Sequence, residues 1–335
     1  MTLQRPKLPL NPPPNRFPIA FYLSSIDSWE VAACGSIFAF LPLPEKSIIA
    51  RIRRAAANPV HKFVALGIGD DCALLRVPPG QETLVTTDFS IEGIHFRRDW
   101  HPPESVGHRC LARGLSDIAA MGGEPRAALL SLALPAKLPQ NWVDRFLRGL
   151  LKLGKVFGVP LLGGDTSESK AGVLADIVVL GTVPEGKAIL RSGARPGDRI
   201  YVTGELGGAA AALDLLLSGQ KLRPADYPRH FFPKPRVDVA RFIREKDLAS
   251  SLIDLSDGLS TDLTHMCEES GVGATIWFEA IPKASIGKYQ EVELAFALHG
   301  IGAFRPGSLA FPLLRLALSS GTDTSVCSDQ RVAKS

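Results

Sequence analysis

The chain has 335 residues, 45% of them hydrophobic and 21% charged, which excludes a disordered or low-complexity protein and leaves room for two domains. The formal net charge of +4, without any run of Lys or Arg, gives no reason to expect nucleic acid as a partner. No apolar run approaches the ~18 residues of a membrane span, and Cys34, Cys72, Cys110, Cys267 and Cys327 are odd in number and widely spaced, so no disulfide framework or zinc site is expected and a reducing cytoplasm suits the chain.

Residues 1–42 are rich in proline and poor in periodicity, and read as a disordered or non-native extension. Arg5, Lys7 and Arg16 precede a short apolar stretch from Phe17 to Leu23, but Pro9, Pro12, Pro13 and Pro14 do not suit a signal peptide. Periodicity starts at Glu45–Ile52 with an amphipathic helix. Cys72–Val77 and Thr83–Phe89 read as strands around the turn Pro78-Pro79-Gly80. Pro103 opens a helix that runs to Met121 and stops at Gly122-Gly123. A strand at Ala127–Leu134, a helix at Asn141–Phe157, a short strand at Leu161-Leu162 and a β-branched strand at Ala175–Val183 follow.

Pro184-Glu185-Gly186 reads as the joint between an N-terminal domain (43–185) and a C-terminal domain (188–300). The second part alternates strands at Ile200–Thr203, Leu252–Leu255 and Ala274–Phe278 with helices at Gly207–Leu217, Val237–Glu245, Leu259–Glu269 and Val292–Leu298. The fold class is therefore α/β, with helices and strands mixed in both parts. Residues 301–335 break this pattern and read as an atypical tail.

Five acidic motifs punctuate these elements, each beside a glycine or a small hydroxyl residue. Gly67-Ile68-Gly69-Asp70-Asp71 is either a turn that brings backbone to a phosphate and Asp71 to a cation, or a decorated loop. Thr86-Thr87-Asp88 closes a strand, either as a Mg²⁺ shell or as a polar terminus. Ser116-Asp117 interrupts an apolar helix, where a carboxylate needs a cation unless it faces solvent. Gly163-Gly164-Asp165-Thr166 reads as a turn whose N–H groups cradle phosphate, or as a plain loop. Asp254-Leu255-Ser256-Asp257-Gly258 joins a strand to a helix, with Asp257 either a metal ligand or the helix N-cap. His95 is either a phosphate contact or structural, and Arg191 beside Ser192-Gly193 is either a nucleotide clamp or a surface arginine. Neither a Walker A loop nor a Gly-x-Gly-x-x-Gly fingerprint occurs.

Taken in order, GIGDDCALL, TTDFSIEGIHF, GLSDIAAMGG, LLGGDTS, ILRSGARPGD, YVTGELGG and IDLSDGLSTDL resemble the thiamine-monophosphate kinase family, within the aminoimidazole ribonucleotide synthetase-like ATP-binding superfamily. The resemblance spans about residues 43–300. It implies a two-domain fold whose N-terminal mixed sheet forms a barrel across a homodimer, with an α/β C-terminal domain that is incomplete here. It also implies ATP-dependent, Mg²⁺-assisted, direct in-line phosphoryl transfer onto thiamine monophosphate, with no covalent catalytic residue. Carried over by motif, Asp71, Thr86, Thr87, Asp88, Asp117, Asp165, Asp254 and Asp257 hold several Mg²⁺ ions. Gly164, Asp165, Arg191 and Ser256 contact ATP, and His95 contacts the thiamine substrate. No membrane partner is implied, and the site of action is cytoplasmic.

Two departures accompany the resemblance. Residues 1–42 have no family counterpart and suggest a misplaced start. After Gly300 the family's glutamate for substrate and its late aromatic are missing, which suggests an out-of-frame or truncated ending. Other superfamily members remain as alternatives. A selenophosphate synthetase-like protein wants a reactive Cys near a Lys at the start of the fold, and a hydrogenase-maturation protein wants a C-terminal cysteine; Cys34 and Cys327 match poorly. A nucleotide-binding dimerisation partner without turnover is the alternative of a different class.

Overall fold

The computed structural model describes residues 45–56, 62–68 and 72–286. The extension at 1–42, Asp71, the helix expected at Val292–Leu298 and the tail at 301–335 lie outside these residues. Helix α1 spans Glu45–Ala55, and the short strands β1 (Val64–Leu66) and β2 (Leu74–Leu75) pair antiparallel. The N-terminal half is then built from β3 (Gln81–Ile91), α2 (Pro103–Ala120), β4 (Glu124–Pro135), α3 (Gln140–Phe157), β5 (Leu161–Ser169) and β6 (Leu174–Pro184). Strands β3 to β6 form a mixed sheet in the order β3-β6-β4-β5, antiparallel except for β4 with β5. Among the described residues the sheet stays open, with β3 and β5 at its edges.

The inner face of the sheet is covered by α2 and α3, and the outer face is covered in part, where Phe63, Val64, Ala73 and Leu75 pack on Ala127, Leu162 and Leu180. Alternation along β3 turns Thr86, Asp88 and Ser90 toward α2, and Val85, Thr87 and Phe89 away from it. Leu111, Leu115 and Ile118 of α2 and Phe146 and Leu150 of α3 join Leu130, Leu132, Ile177 and Val179 of the sheet in the main core. Each such side chain contributes about 1.5–3 kcal/mol on burial. Pro103 starts α2, and its missing N–H costs nothing in the first turn. α3 ends on the left-handed Gly158 (φ 64°), whose N–H bonds back into the helix. The two helices approach through glycine: a Cβ at Gly107 would stand 1.9 Å from the Phe146 carbonyl oxygen, and one at Gly149 would stand 2.0 Å from that of Glu104.

The C-terminal half carries α4 (Gly208–Leu217), α5 (Pro228–Phe231), α6 (Val237–Glu245), α7 (Leu259–Ser270) and a 3₁₀ turn at Phe278–Ala280. The strands expected at Ile200–Thr203, Leu252–Leu255 and Ala274–Phe278 are not strands here. Their apolar residues Ile200, Val202, Ile253, Leu255, Ala274 and Ile276 do pack together against Leu259, Leu263 and Met266 of α7. Alternation reports which side chains are buried; a strand also needs a hydrogen-bonded neighbour, and no ladder forms among these segments in the described residues.

Three further expectations change. Cys72–Val77 contributes only the two-residue β2. Thr86-Thr87-Asp88 lies inside β3, which runs on to Ile91, and does not close it. Gly163-Gly164-Asp165-Thr166 is part of β5, in register with Leu129–Leu132 of β4, and is not a turn. Gly164 holds φ 145°, and a Cβ there would meet the Leu130 carbonyl oxygen at 1.7 Å, so glycine is required for the strand to pass.

Candidate active site

Helix α2 lays polar side chains against the inner face of β3, and the C-terminal half closes on them. The Thr86 hydroxyl donates to Asp117 Oδ2. Arg113 Nε donates to Asp88 Oδ2 at 2.7 Å. Ser116 Oγ reaches out of the N-terminal half to Asp254 Oδ2, also at 2.7 Å. An open cleft of about 590 Å³ follows this seam, lined by Thr86, Asp117, Leu190, Arg191, Asp254 and Glu269 among others.

The carboxylates are under strain of their own charge. Burial pushes the Asp117 carboxyl up to about 7, and Asp254 and Asp88 push in the same direction against the Thr86 hydrogen bond and Arg113. Burial also holds Asp254 above the usual carboxylate range, opposed by the Ser116 bond and Arg191. Asp88 is raised by burial too, more than Arg113 lowers it. Acids placed so gain most from a cation.

The donors are all oxygen, as a hard divalent ion wants. Among the described residues no three Asp, Glu, His or Cys side chains are grouped closely enough to hold one ion by themselves. A hard divalent ion held here would take one or two of these carboxylates, with waters or phosphate oxygens completing its shell.

Backbone geometry fixes the cleft's other wall. The Arg191 carbonyl accepts from Ser251 Oγ at 2.7 Å and Ser270 Oγ at 2.8 Å. A Cβ at Gly193 would sit 1.9 Å from the Ser250 carbonyl oxygen, so glycine lets this segment lie against residues 250–251. The exposed Arg191 side chain is thereby presented on a held backbone.

His95 sits at the far end of β3. Its Nδ1 accepts the Ile91 N–H at 3.0 Å, which puts the ring proton of the neutral form on Nε2. Burial, then Arg113 and Arg109, lower its pKa to about 4, so the imidazole is a neutral donor at physiological pH.

Not every residue expected at the site joins this cluster. Thr87 points to the opposite face of the sheet, where its hydroxyl donates to Asp176 Oδ1 at 2.7 Å. Asp165 aligns with Ser131, Ser131 with Asp176, and Asp176 with Phe89, so Asp165 shares that outer face. It is exposed, and its Oδ1 accepts the Thr166 N–H. Asp257 is exposed at the start of α7 and does not cap it. The cap acceptor is Asp262, whose Oδ2 takes the N–H groups of Ser256, Asp257 and Gly258 at 2.9, 3.1 and 3.2 Å. Ser256 thus lies in a turn organised from inside the helix.

Sequence reasoning passed over Asp262, Arg113 and Asp176. Asp262 had a signal: an acid in the first turn of a helix, where backbone donors gather. Arg113 had one as well, four residues before Asp117 on the same helical face. Asp176 had none, because its partner Thr87 arrives through sheet register alone.

Comparison with known proteins agrees with this architecture. Residues 69–183 match the family model of AIR synthase related protein, N-terminal domain, and residues 195–310 match that of the C-terminal domain. The thiamine-monophosphate kinase of Escherichia coli strain K12 is 39% identical over 270 residues, covering 79% of this chain and 76% of that protein. The crystal structure of thiamine-monophosphate kinase from Stenotrophomonas maltophilia K279a superposes with a TM-score of 0.69 at 32% identity, covering 81% of this chain and 85% of that one. A structure of AaThiL complexed with AMPPCP and TMP superposes with a TM-score of 0.63 at 29% identity, covering 82% and 85%.

Proposed function

The chain belongs to the thiamine-monophosphate kinase family, and from that premise we propose how its own residues carry out the transfer of the γ-phosphoryl group of ATP onto the phosphate of thiamine monophosphate. The observation that carries the proposal is the seam across which Ser116 holds Asp254, bringing Asp117 and Thr86 of one half and Asp254 and Arg191 of the other to one cleft. A phosphorylated donor bound there meets groups from both halves at once.

The chemistry has one dominant obstacle, the approach of two polyanions. Mg²⁺ bound with the nucleotide supplies charge neutralisation and Lewis acidity. In our reading Asp88, Asp117 and Asp254 hold the Mg²⁺ ions, one or two carboxylates to each, with Thr86 orienting Asp117 and Ser116 orienting Asp254 through the hydrogen bonds described. The family resemblance adds Asp71, Asp165, Asp257 and Thr87 as ligands; Thr87 and Asp165, on the outer face of the sheet, stand apart from this cluster, so an ion they hold is a separate one. Arg191, Gly164 and Ser256 receive the ATP phosphates, and His95 presents Nε2–H to the thiamine substrate. Positioning does the rest, since in-line transfer asks no covalent nucleophile of the protein.

The outer face of the sheet supports a homodimer. Val85 and Phe89 stand 64% and 52% exposed there beside Val178 and Leu129. Apolar side chains grouped in this way, even beside the Thr87–Asp176 hydrogen bond, are poorly placed in water. We propose that a second copy covers it, the two open sheets then closing a barrel. Phe89→Glu should convert a dimer to a monomer in light scattering; a wild-type monomer would end this part of the reading. In our reading the enzyme acts in the cytoplasm. Among the described residues no helix is long and apolar enough to cross a membrane.

The direct test is to incubate the purified chain with ATP, Mg²⁺ and thiamine monophosphate and to separate the products. Equal amounts of thiamine diphosphate and ADP are expected. ADP with free phosphate and no thiamine diphosphate would sink the proposal.

A further inference from the structure

Three residues of α2 one turn apart, Arg109, Arg113 and Asp117, run along one helical face and meet β3 and the loop after it in order. Arg109 Nη2 donates to the His95 carbonyl oxygen at 3.3 Å. Arg113 Nε donates to Asp88 Oδ2 at 2.7 Å. Asp117 accepts from Thr86. Arg113 therefore stands in the middle of the stripe, with His95 toward one end and the carboxylates of Asp117 and Asp254 toward the other.

The Arg113–Asp88 contact engages a well-covered guanidinium through one N–H. Its side chain is 14% exposed and that of Asp88 is 24% exposed. An arginine paired with a carboxylate frequently offers it two parallel N–H groups. Here a single N–H is engaged, and Asp88 is its hydrogen-bond partner among the described residues. A guanidinium has five N–H donors, so four remain for an anion that approaches between Asp88 and His95. Asp88 in turn keeps Oδ1 open, since only Oδ2 is taken.

We propose that Arg113 is a substrate-binding residue of the transfer reaction, a fixed guanidinium that receives the phosphate of the acceptor while Asp88 holds it in place. The inference rests on the phosphotransferase reading above and adds to it a site for the acceptor's charge. Arginine suits the task because its planar fork matches phosphate oxygens and its charge is retained when partly buried. It also explains why a strongly basic side chain sits within an acidic cluster that gains from cations: this one cation is supplied by the chain itself.

The test separates acceptor from donor. Arg113→Gln and Arg113→Lys are compared with wild type for KM toward thiamine monophosphate and, separately, toward ATP. Binding of thiamine monophosphate and of unphosphorylated thiamine is measured by calorimetry with Mg²⁺ and a non-hydrolysable ATP analogue. For Arg113→Gln the expected result is a rise of about tenfold or more in KM and Kd for thiamine monophosphate, with KM for ATP within about twofold and thiamine binding unchanged. Arg113→Lys should recover part of the loss, since charge remains but the fork is gone. Equal rises for both substrates, or weakened binding of thiamine as much as of its monophosphate, would overturn the assignment. So would tighter Mg²⁺ binding in Arg113→Gln with unchanged affinity for the monophosphate, which would mean that the arginine only neutralises Asp88. Calorimetry keeps the two readings apart: a wild-type chain that binds thiamine monophosphate through Arg113 without turning it over would fail the kinase proposal and leave this one standing.

Discussion

The two halves of the molecule hold their shape by different means. Strands β3 to β6 are tied by a continuous hydrogen-bonded ladder and covered by α2 and α3. Residues 190–286 have no such ladder among the described residues; extended segments there are gathered by apolar packing on α7, and the turn before that helix is held by the Asp262 carboxylate. The seam between them is where the polar chemistry lies. One half brings Thr86, Asp88, Arg113 and Asp117 on strand and helix backbones; the other brings Asp254 and Arg191 on irregular backbone fixed by serines. A reaction that must hold two separate anions is well served by a site divided in this way.

The sharpest way to break the comparison is at Asp117, which belongs to the ladder half by position and to the seam by function. Asp117→Asn should lower kcat/KM by about 1,000-fold or more, roughly 4 kcal/mol of transition-state stabilisation. The same change should leave the unfolding midpoint of the metal-free protein unchanged or raise it. The reason is that burial and Asp254 already disfavour the charged carboxyl, and asparagine removes that charge. Thermal melts and steady-state kinetics on one preparation check both. A variant that unfolds early would mean that Asp117 serves the fold, and near-normal turnover would remove it from the metal-binding set.

The next largest effect should fall on stability and separate the halves directly. At Gly149 an added Cβ meets the Glu104 backbone at 2.0 Å, so Gly149→Ala must push α2 and α3 apart. A cost of about 3 kcal/mol is expected, the upper range for overpacking. Gly219, in the C-terminal half, has φ 82° and open space around it. Gly219→Ala there should cost only about 1 kcal/mol, from backbone strain alone. Urea unfolding gives both numbers, and equal costs would deny that the helix crossing is the tighter structure.

How much of this was legible in the sequence follows the same division. In the ladder half periodicity located β3, β4, β6, α2 and α3, because alternation and helical spacing agree there with hydrogen-bonded structure. In the other half Ile200, Val202, Ile253 and Leu255 were read as strand residues; they pack together, Ile253 and Leu255 buried and Ile200 and Val202 partly so, yet they form no strand, since alternation contains no information about a neighbour. At the site Ser116 and Asp117 were legible as polar residues inside an apolar helix, and Asp254 as a carboxylate in the motif that leads into the next helix. The sidedness of Thr86 and Thr87 was not weighed, although they are adjacent on a strand and must face opposite ways. Gly163-Gly164 was read as a turn or plain loop and yet lies in β5, where Gly164 serves close passage of the Leu130 carbonyl instead of chain reversal.

A smaller and more local effect is expected at Asp262. Removing its carboxylate in Asp262→Ala leaves the N–H groups of Ser256, Asp257 and Gly258 without their acceptor. The cost should be about 2 kcal/mol, at the upper end for loss of a helix cap. Hydrogen exchange should quicken in α7 and the turn before it, while β4 and β6 keep their protection. Uniform acceleration across the chain would show that the two halves unfold as one unit and that their different construction has no energetic consequence.

The last effect is gradual, and it concerns the joint between the halves. His101 Nε2 lies 3.0 Å from His230 Nε2, and Arg109 Nη1 lies 3.0 Å from the same atom of His101. His108 Nε2 contacts the Pro233 carbonyl oxygen at 2.7 Å, and the Ser105 hydroxyl donates to the Phe231 carbonyl oxygen. This cluster ties α2 to residues 230–233. Burial and then Arg109 lower His101 to about 3, with Asp99 the one acidic neighbour opposing them. Burial, Arg109 and His101 hold His230 well below the ordinary value, and burial lowers His108 as well. These imidazoles stay neutral in the folded chain at pH values where the unfolded chain protonates them. Unfolding then takes up protons, so their contribution is complete above pH 6.5 and is lost as pH falls toward the folded values. Each such histidine removes about 1.4 kcal/mol of stability per pH unit below 6.5. Urea unfolding at pH 8, 7, 6 and 5 should give a flat upper range and a steepening loss below it. His101→Gln should reduce the lower slope by about one proton, whatever it does to stability at pH 8. An unchanged slope would place the acid sensitivity outside this joint, and with it the claim that the halves are held together by uncharged histidines.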